Sequence, residues 1–263
     1  MKIVEEPILE NGAKLVGYLH TPSPEMPQRT NRPAVLICPG GGYVMRSDRE
    51  ADPPALFFAA RGYQVFLLAY SVGEGARNMQ PLREISAAVC LMRKKAEEWH
   101  LLPDKIAVMG HSAGGHLAAS LGVFYDRPEL GCPNGENKPN AMLLCYPVIT
   151  SNEFAHRGSL ENVSGETDPA KQTFWSLENH VTKDTPPAFL WHTYEDQDVP
   201  VENSLLFVNA LRRAGVPCEF HMFQEGWHGL SICREESVSD FPSCAPWLDL
   251  CIAWLDRRFG WKR

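Results

Sequence analysis

No apolar run in this chain is long enough to cross a bilayer, and its opening stretch, MKIVEEPILENG, carries acids where an export signal carries an apolar core. Both absences lead to the expectation of a cytoplasmic protein with no membrane partner. There is no basic cluster either. Against 25 Lys and Arg stand 32 Asp and Glu, a net charge of −7, so nucleic acid is not an expected partner. Among eight cysteines no C-x-x-C occurs, which removes the usual spacing for a zinc site or a thioredoxin-type redox pair. Several of these cysteines stand inside apolar runs, as in Val35-Leu36-Ile37-Cys38 and Leu143-Leu144-Cys145. Cysteine there behaves as a small buried hydrophobe, and reduced thiols are expected. No G-x-x-x-x-G-K-[ST] is present, so the glycines at 40–42 do not read as a phosphate loop. Internal repeats, low-complexity tracts and dividing linkers are missing as well. One domain over 1–263 is therefore expected, and 44% hydrophobic residues suffice for its core.

What is present alternates. Apolar, strand-sized runs stand at 34–38, 63–70, 106–109, 141–148, 187–193 and 218–223. Residues 14–21 read as an early antiparallel strand at a sheet edge. Helical stretches fall between the runs, at 51–61, 82–101, 201–214 and 246–259. The second is the most regular, with Leu82, Ile85, Val89, Met92 and Ala96 on one face. The alternation predicts an α/β fold, a mostly parallel sheet with helices on both faces. Residues 151–186 break the rhythm. This polar stretch with scattered aromatics reads either as an insert over the active site, a small lid or substrate wall, or as a plain connection with a helix.

The chemistry centres on 105–116, KIAVMGHSAGGH. A short apolar strand runs into Gly110-His111-Ser112-Ala113-Gly114, and a small-residue helix follows. Strand, tight turn and helix is the setting in which G-x-S-x-G forms a nucleophile elbow. Ser112 needs a base, because a serine hydroxyl is a poor nucleophile until an imidazole takes its proton. His228, in Gly226-Trp227-His228-Gly229 after the last strand, is the candidate. The acid is expected at the end of the preceding strand, in Glu195-Asp196-Gln197-Asp198-Val199-Pro200. Asp196 stands where an H-G-x-x-D-x-x-V-P pattern places it, with Asp198 and Glu195 as neighbouring alternatives. Pro39-Gly40-Gly41-Gly42-Tyr43 follows the strand at 34–38. Side-chain-free residues there let backbone N–H groups approach a substrate, which makes Gly41, Gly42 and Ala113 the candidate oxyanion-hole donors.

These motifs resemble an α/β-hydrolase of the hormone-sensitive-lipase-like and acetyl-esterase group. Within it the chain looks most like the small bacterial acetylesterases associated with acetylated xylan. The resemblance rests on CPGGGY at 38–43, SDRE at 47–50, GHSAGGH at 110–116, TPPAFLWHTYEDQDVPVENS at 185–204 and GWHGL at 226–230. It implies a Ser-His-Asp acyl-enzyme mechanism without metal or cofactor, acting on a small ester, with a short acyl group on a sugar expected. Tyr43, Arg49 and Glu50, beside the glycine loop, are candidate contacts to the alcohol part, with a local Arg49–Glu50 ion pair as the alternative. Two positions depart from the group. Pro39 replaces the usual histidine at the head of the glycine loop, and Thr193 replaces the glycine of H-G-x-x-D. A peptidase of the prolyl-oligopeptidase type shares triad and fold, but such enzymes carry a propeller domain for which 263 residues leave no room. The other reading is a non-catalytic ligand receptor on the same fold.

Overall fold

The computed structural model describes residues 1–237 and 240–262. Its strands are β1 (Lys2–Ile8), β2 (Ala13–Leu19), β3 (Arg32–Cys38), β4 (Gln64–Ala69), β5 (Leu101–His111), β6 (Ala141–Cys145), β7 (Ala188–Thr193) and β8 (Cys218–Phe223). The helices are α1 (Asp52–Ala60), α2 (Gln80–Lys94), α3 (Ala113–Phe124), α4 (Arg157–Ser164), α5 (Glu202–Arg213) and α6 (Trp247–Phe259). The strands form one sheet in the order β1-β2-β4-β3-β5-β6-β7-β8. Pairing is antiparallel from β1 to β2 and from β2 to β4, and parallel from there on. The expected mostly parallel sheet with helices on both faces is the observed one.

Each face carries its own core, and side-chain alternation along the strands sorts residues between them. Ala34, Leu36 and Cys38 of β3 pack with α2, α3 and α5, while Val35 and Ile37 pack with α1 and α6. All of β3 is buried, which is why it reads as a continuous apolar run. β3 lies between β4 and β5, so the direction of strand order reverses there. The crevice beyond the carboxyl ends of strands at such a reversal is where open α/β sheets place a ligand site.

Two expectations need correction. β2 is not the edge strand, because β1 pairs along it from Lys2 opposite Leu19 to Ile8 opposite Ala13. β1 escapes a sequence reading because only Ile8 of it is buried, so its pattern carries no apolar face. α2 ends at Lys94 rather than at 101. The chain then turns, with His100 at φ 54°, so that Leu101 can pair with Arg32. Strand pairing and burial of Trp99 prevail over helical periodicity that has no glycine to stop it.

Candidate active site

Ser112 sits between β5 and α3 with φ 53° and ψ −120°, a strained conformation for a residue with a side chain. The strain is held by the surroundings. The Ser112 N–H donates to the Cys145 carbonyl at 3.0 Å, and the Ser112 carbonyl accepts from the N–H groups of His116 and Val148. The flanking glycines are required by contact. A Cβ on Gly110 would lie 2.0 Å from the Gly114 carbonyl oxygen, and one on Gly114 would lie 2.1 Å from that of Cys38.

Three loops bring Ser112, His228 and Asp196 together. His228 Nε2 lies 2.8 Å from Ser112 Oγ, and its Nδ1 lies 2.7 Å from Asp196 Oδ2. Asp196, not Asp198 or Glu195, is the carboxylate that faces the imidazole. Its other oxygen, Oδ1, accepts from the backbone N–H groups of Asp198 and Val199 at 3.0 and 2.9 Å. Burial alone would raise the Asp196 carboxyl. Hydrogen bonds and electrostatic attraction from the His192 and His228 rings override it and hold the carboxyl well below its ordinary range. His192 belongs to this support. Its Nε2 donates to the Val199 carbonyl at 2.9 Å and lies 3.3 Å from Asp196 Oδ2, while its Nδ1 accepts from the Ser204 hydroxyl. Thr193, where the resemblance expects glycine, donates its hydroxyl to the Gly226 carbonyl at 2.9 Å and ties the acid loop to the histidine loop.

Gly41 and Gly42 line the cleft beside Ser112 at φ 121° and 63°, and the N–H of Ala113 opens α3 immediately after it. No acceptor among the described residues takes the Gly41 or Gly42 N–H. At the N-terminus of α3 the Ala113 N–H has no partner within its helix. The glycine loop is braced from four sides without the missing histidine. Tyr70 donates its hydroxyl to the Pro39 carbonyl, Glu50 Oε2 accepts from the Gly40 N–H, Asn162 donates to the Gly42 carbonyl, and the Gly73 N–H donates to the Tyr43 carbonyl.

This bracing corrects two candidate substrate contacts. Glu50 lines the cleft, but it is 2% exposed and both its oxygens are taken, Oε2 by the Gly40 N–H and Oε1 by the Tyr146 hydroxyl at 2.8 Å, so its carboxylate holds the loop. Tyr43 is 1% exposed and its hydroxyl donates to His116 Nδ1, while His116 Nε2 donates to the Trp175 carbonyl. Tyr43 thus links the glycine loop to the segment 151–186. Arg49 alone of the three reaches the cleft with an exposed side chain, and no Arg49–Glu50 ion pair occurs among the described residues. A Cβ on Gly229 would meet its guanidinium at 2.6 Å, which places the cation beside the histidine loop.

The cleft has a volume of about 530 Å³ and is also lined by Val44, Met45, His156 and Asp198. The sequence carries no signal for His156, which lies in the irregular 151–186 stretch. That stretch is packed: Leu160, Val163, Trp175 and Leu177 join the core on the α2, α3 and α5 face. Among the described residues no group of three or more His, Cys, Asp or Glu side chains could hold a metal ion, and no helix is long and apolar enough to cross a membrane.

Two histidines that flank Ser112 couple the site to acid stability. Burial lowers His111 and His116 from 6.5 to about 4, against smaller opposing effects of Glu50 on His111 and the Trp175 carbonyl on His116. Both stay neutral in the folded chain while the unfolded chain protonates them. Their contribution is therefore full above pH 6.5 and is lost as pH falls toward 4. Each is linked to roughly 3 kcal/mol over that interval, with a limiting slope of about 1.4 kcal/mol per pH unit per histidine. Urea unfolding at pH 7 and pH 5 is expected to show a marked loss of stability at the lower pH; equal stability at both would contradict this.

Comparison with known proteins places the chain. The BD-FAE family model matches residues 22–211, a span that holds Ser112 and Asp196 but ends before His228. Endo-1,4-beta-xylanase B of Butyrivibrio fibrisolvens is 37% identical over 234 residues, 86% of this chain and 36% of that protein. The acetylxylan esterase of Xylanibacter ruminicola is 30% identical over 211 residues, 78% of this chain and 42% of that protein. The chain thus spans less than half the length of these two curated relatives. Among solved structures, the acetyl ester-xyloside bifunctional hydrolase of Caldicellulosiruptor lactoaceticus superposes with a TM-score of 0.87 at 34% identity, covering 99% of this chain and 97% of that one. The resemblance to acetylesterase-like α/β-hydrolases is borne out, and the chain belongs to the BD-FAE family.

Proposed function

We propose that this chain is a serine carboxylic-ester hydrolase that removes short acyl groups, acetyl foremost, from carbohydrate or other small esters. The observation that carries the reading is the contact of His228 with both Ser112 Oγ and Asp196, beside the Gly41 and Gly42 N–H groups, which have no acceptor among the described residues. The ionised Asp196 accepts the proton-bearing Nδ1 and leaves Nε2 free to act as base. His228 takes the Ser112 proton as Oγ attacks the ester carbonyl. The N–H groups of Gly41, Gly42 and Ala113 stabilise the negative oxygen of the tetrahedral intermediate. His228 then gives its proton to the departing alcohol. Water, deprotonated by His228, attacks the acyl-enzyme, and the carboxylic acid leaves as Ser112 regains its proton. No step uses a metal or cofactor.

The acetyl and sugar preference is supported by the relatives, whose names include an acetylxylan esterase and an acetyl ester-xyloside hydrolase. The xylanase name belongs to a relative of which this chain matches 36%. The test is hydrolysis of 4-nitrophenyl acetate, butyrate and octanoate, with Ser112→Ala as control. The expected result is Ser112-dependent turnover of acetate that falls roughly ten-fold or more toward octanoate, the scale on which acyl pockets discriminate added methylenes. Absence of Ser112-dependent turnover on every ester would overturn the reading and favour a receptor or a peptidase.

A further inference from the structure

The 151–186 segment places one polar side chain at the cleft that the chemistry above does not use. His156 caps α4, and its ring lines the cleft with Cε1 about one van der Waals contact, 4.0 Å, from where a Gly42 Cβ would stand. Its tautomer follows from its partners. The Ser159 N–H, which can only donate, lies 3.3 Å from His156 Nδ1, and the Ser159 hydroxyl lies 2.7 Å from the same atom. Nδ1 is therefore the acceptor, and a neutral ring carries its proton on Nε2. Burial lowers the His156 pKa, against the smaller opposing effects of Asp198 and Asp196, and favours the neutral ring. Nε2–H has no protein partner among the described residues.

A free donor in a cleft next to the reacting atoms has a restricted set of matches. A short acyl group offers a single good acceptor, the carbonyl oxygen, and the glycine loop and Ala113 already face it. Any further polar complement must come from the alcohol half of the ester. The same cleft also exposes the Arg49 guanidinium and the Asp198 carboxylate, neither of which is paired with another side chain among the described residues. Donors and an acceptor around one opening fit an alcohol that carries several hydroxyls.

We propose that His156 is a specificity-determining residue that donates a hydrogen bond from Nε2 to a hydroxyl or ring oxygen on the substrate's alcohol half, so that sugar esters are favoured over esters of alcohols without such oxygens. The proposal rests on the ester-hydrolase reading above, and the test separates the two. His156→Asn leaves an amide oxygen where Nδ1 accepts the Ser159 N–H, so the cap on α4 is kept while the Nε2 donor is removed. His156→Gln restores an amide N–H near the Nε2 position and gives up the cap. The substrates are a mono-acetylated methyl xyloside, followed by acetate release, and 4-nitrophenyl acetate, whose leaving group has no hydroxyl. The expected result for His156→Asn is a fall of roughly ten-fold in kcat/KM on the sugar acetate, with 4-nitrophenyl acetate within about two-fold. His156→Gln is expected to recover most of the sugar-acetate rate. Equal losses on both esters, no loss on the sugar acetate, or an unaltered protein that cleaves 4-nitrophenyl acetate but not the sugar acetate would each overturn the role of His156. An unaltered protein inactive on both esters would overturn the ester-hydrolase reading itself and this role with it.

Discussion

Ser112→Ala is expected to lower kcat on any accepted ester by roughly a million-fold, the scale on which serine nucleophiles fail when their oxygen is removed. The size of the loss follows from what remains. The N–H groups of Gly41, Gly42 and Ala113 would still polarise a bound carbonyl, and that residue of catalysis stands about 10³–10⁴ above water. What disappears is the step in which His228 Nε2, 2.8 Å from Oγ, converts a hydroxyl into a nucleophile. The fold should tolerate the change. Alanine keeps a Cβ where serine has one, and the bonds that hold the strained backbone run through the Ser112 N–H and carbonyl, which do not change. The melting temperature should shift by only a few degrees, and a fluorophosphonate probe that labels the unaltered protein should no longer label the variant. Retained labelling would mean that a different hydroxyl reacts, and the role given to Ser112 would fall.

How far the sequence carries can be read from individual residues. The elbow was legible because its glycines answer to contacts within one short stretch: Gly110 and Gly114 face backbone that the same turn and the adjoining β3 supply. His228 was legible, and so was Asp196 together with its neighbours Asp198 and Glu195, because each sits in a loop after a strand in the chain order serine, acid, histidine. The sheet read well wherever a strand is buried on both faces, as β3 is, and poorly where it is not, as at β1. What the sequence hid are long-range partners of single side chains. Glu50 lies beside the glycine loop in sequence, but whether it points outward to a ligand or inward to the Gly40 N–H depends on Tyr146, 96 residues away. Tyr43 is decided by His116, and at Pro39 the loop is held through its carbonyl by the hydroxyl of Tyr70. His156 stayed invisible for a related reason. Its segment has no period, and only packing of Leu160, Val163 and Trp175 into the core brings its ring to the cleft.

Asp196→Asn is the second large effect expected, a loss of about 10⁴-fold in kcat with substrate binding little changed, as when a triad carboxylate elsewhere becomes an amide. The direction is set by which way the new amide must face. At Oδ1 the site presents two donors, the N–H groups of Asp198 and Val199, at 3.0 and 2.9 Å. An NH₂ group there would confront both, so the asparagine oxygen must keep that position. Its NH₂ then occupies the place of Oδ2, 2.7 Å from His228 Nδ1 and near the Nε2–H of His192. Facing a donor, Nδ1 must become the acceptor, and the His228 proton moves to Nε2, where it points at Ser112. The imidazole is then held in the one neutral form that cannot take a proton from the hydroxyl. The His192 donor also loses its carboxylate, so the acid loop loosens on the side away from the cleft, and a few degrees of melting temperature should go with it. Steady-state kinetics on 4-nitrophenyl acetate, with a ¹⁵N-edited spectrum of the His228 ring, would check both halves of the argument. A variant that keeps kcat within ten-fold, with the His228 proton still on Nδ1, would show that Asp196 does not set the tautomer and would return Asp198 to consideration as the acid.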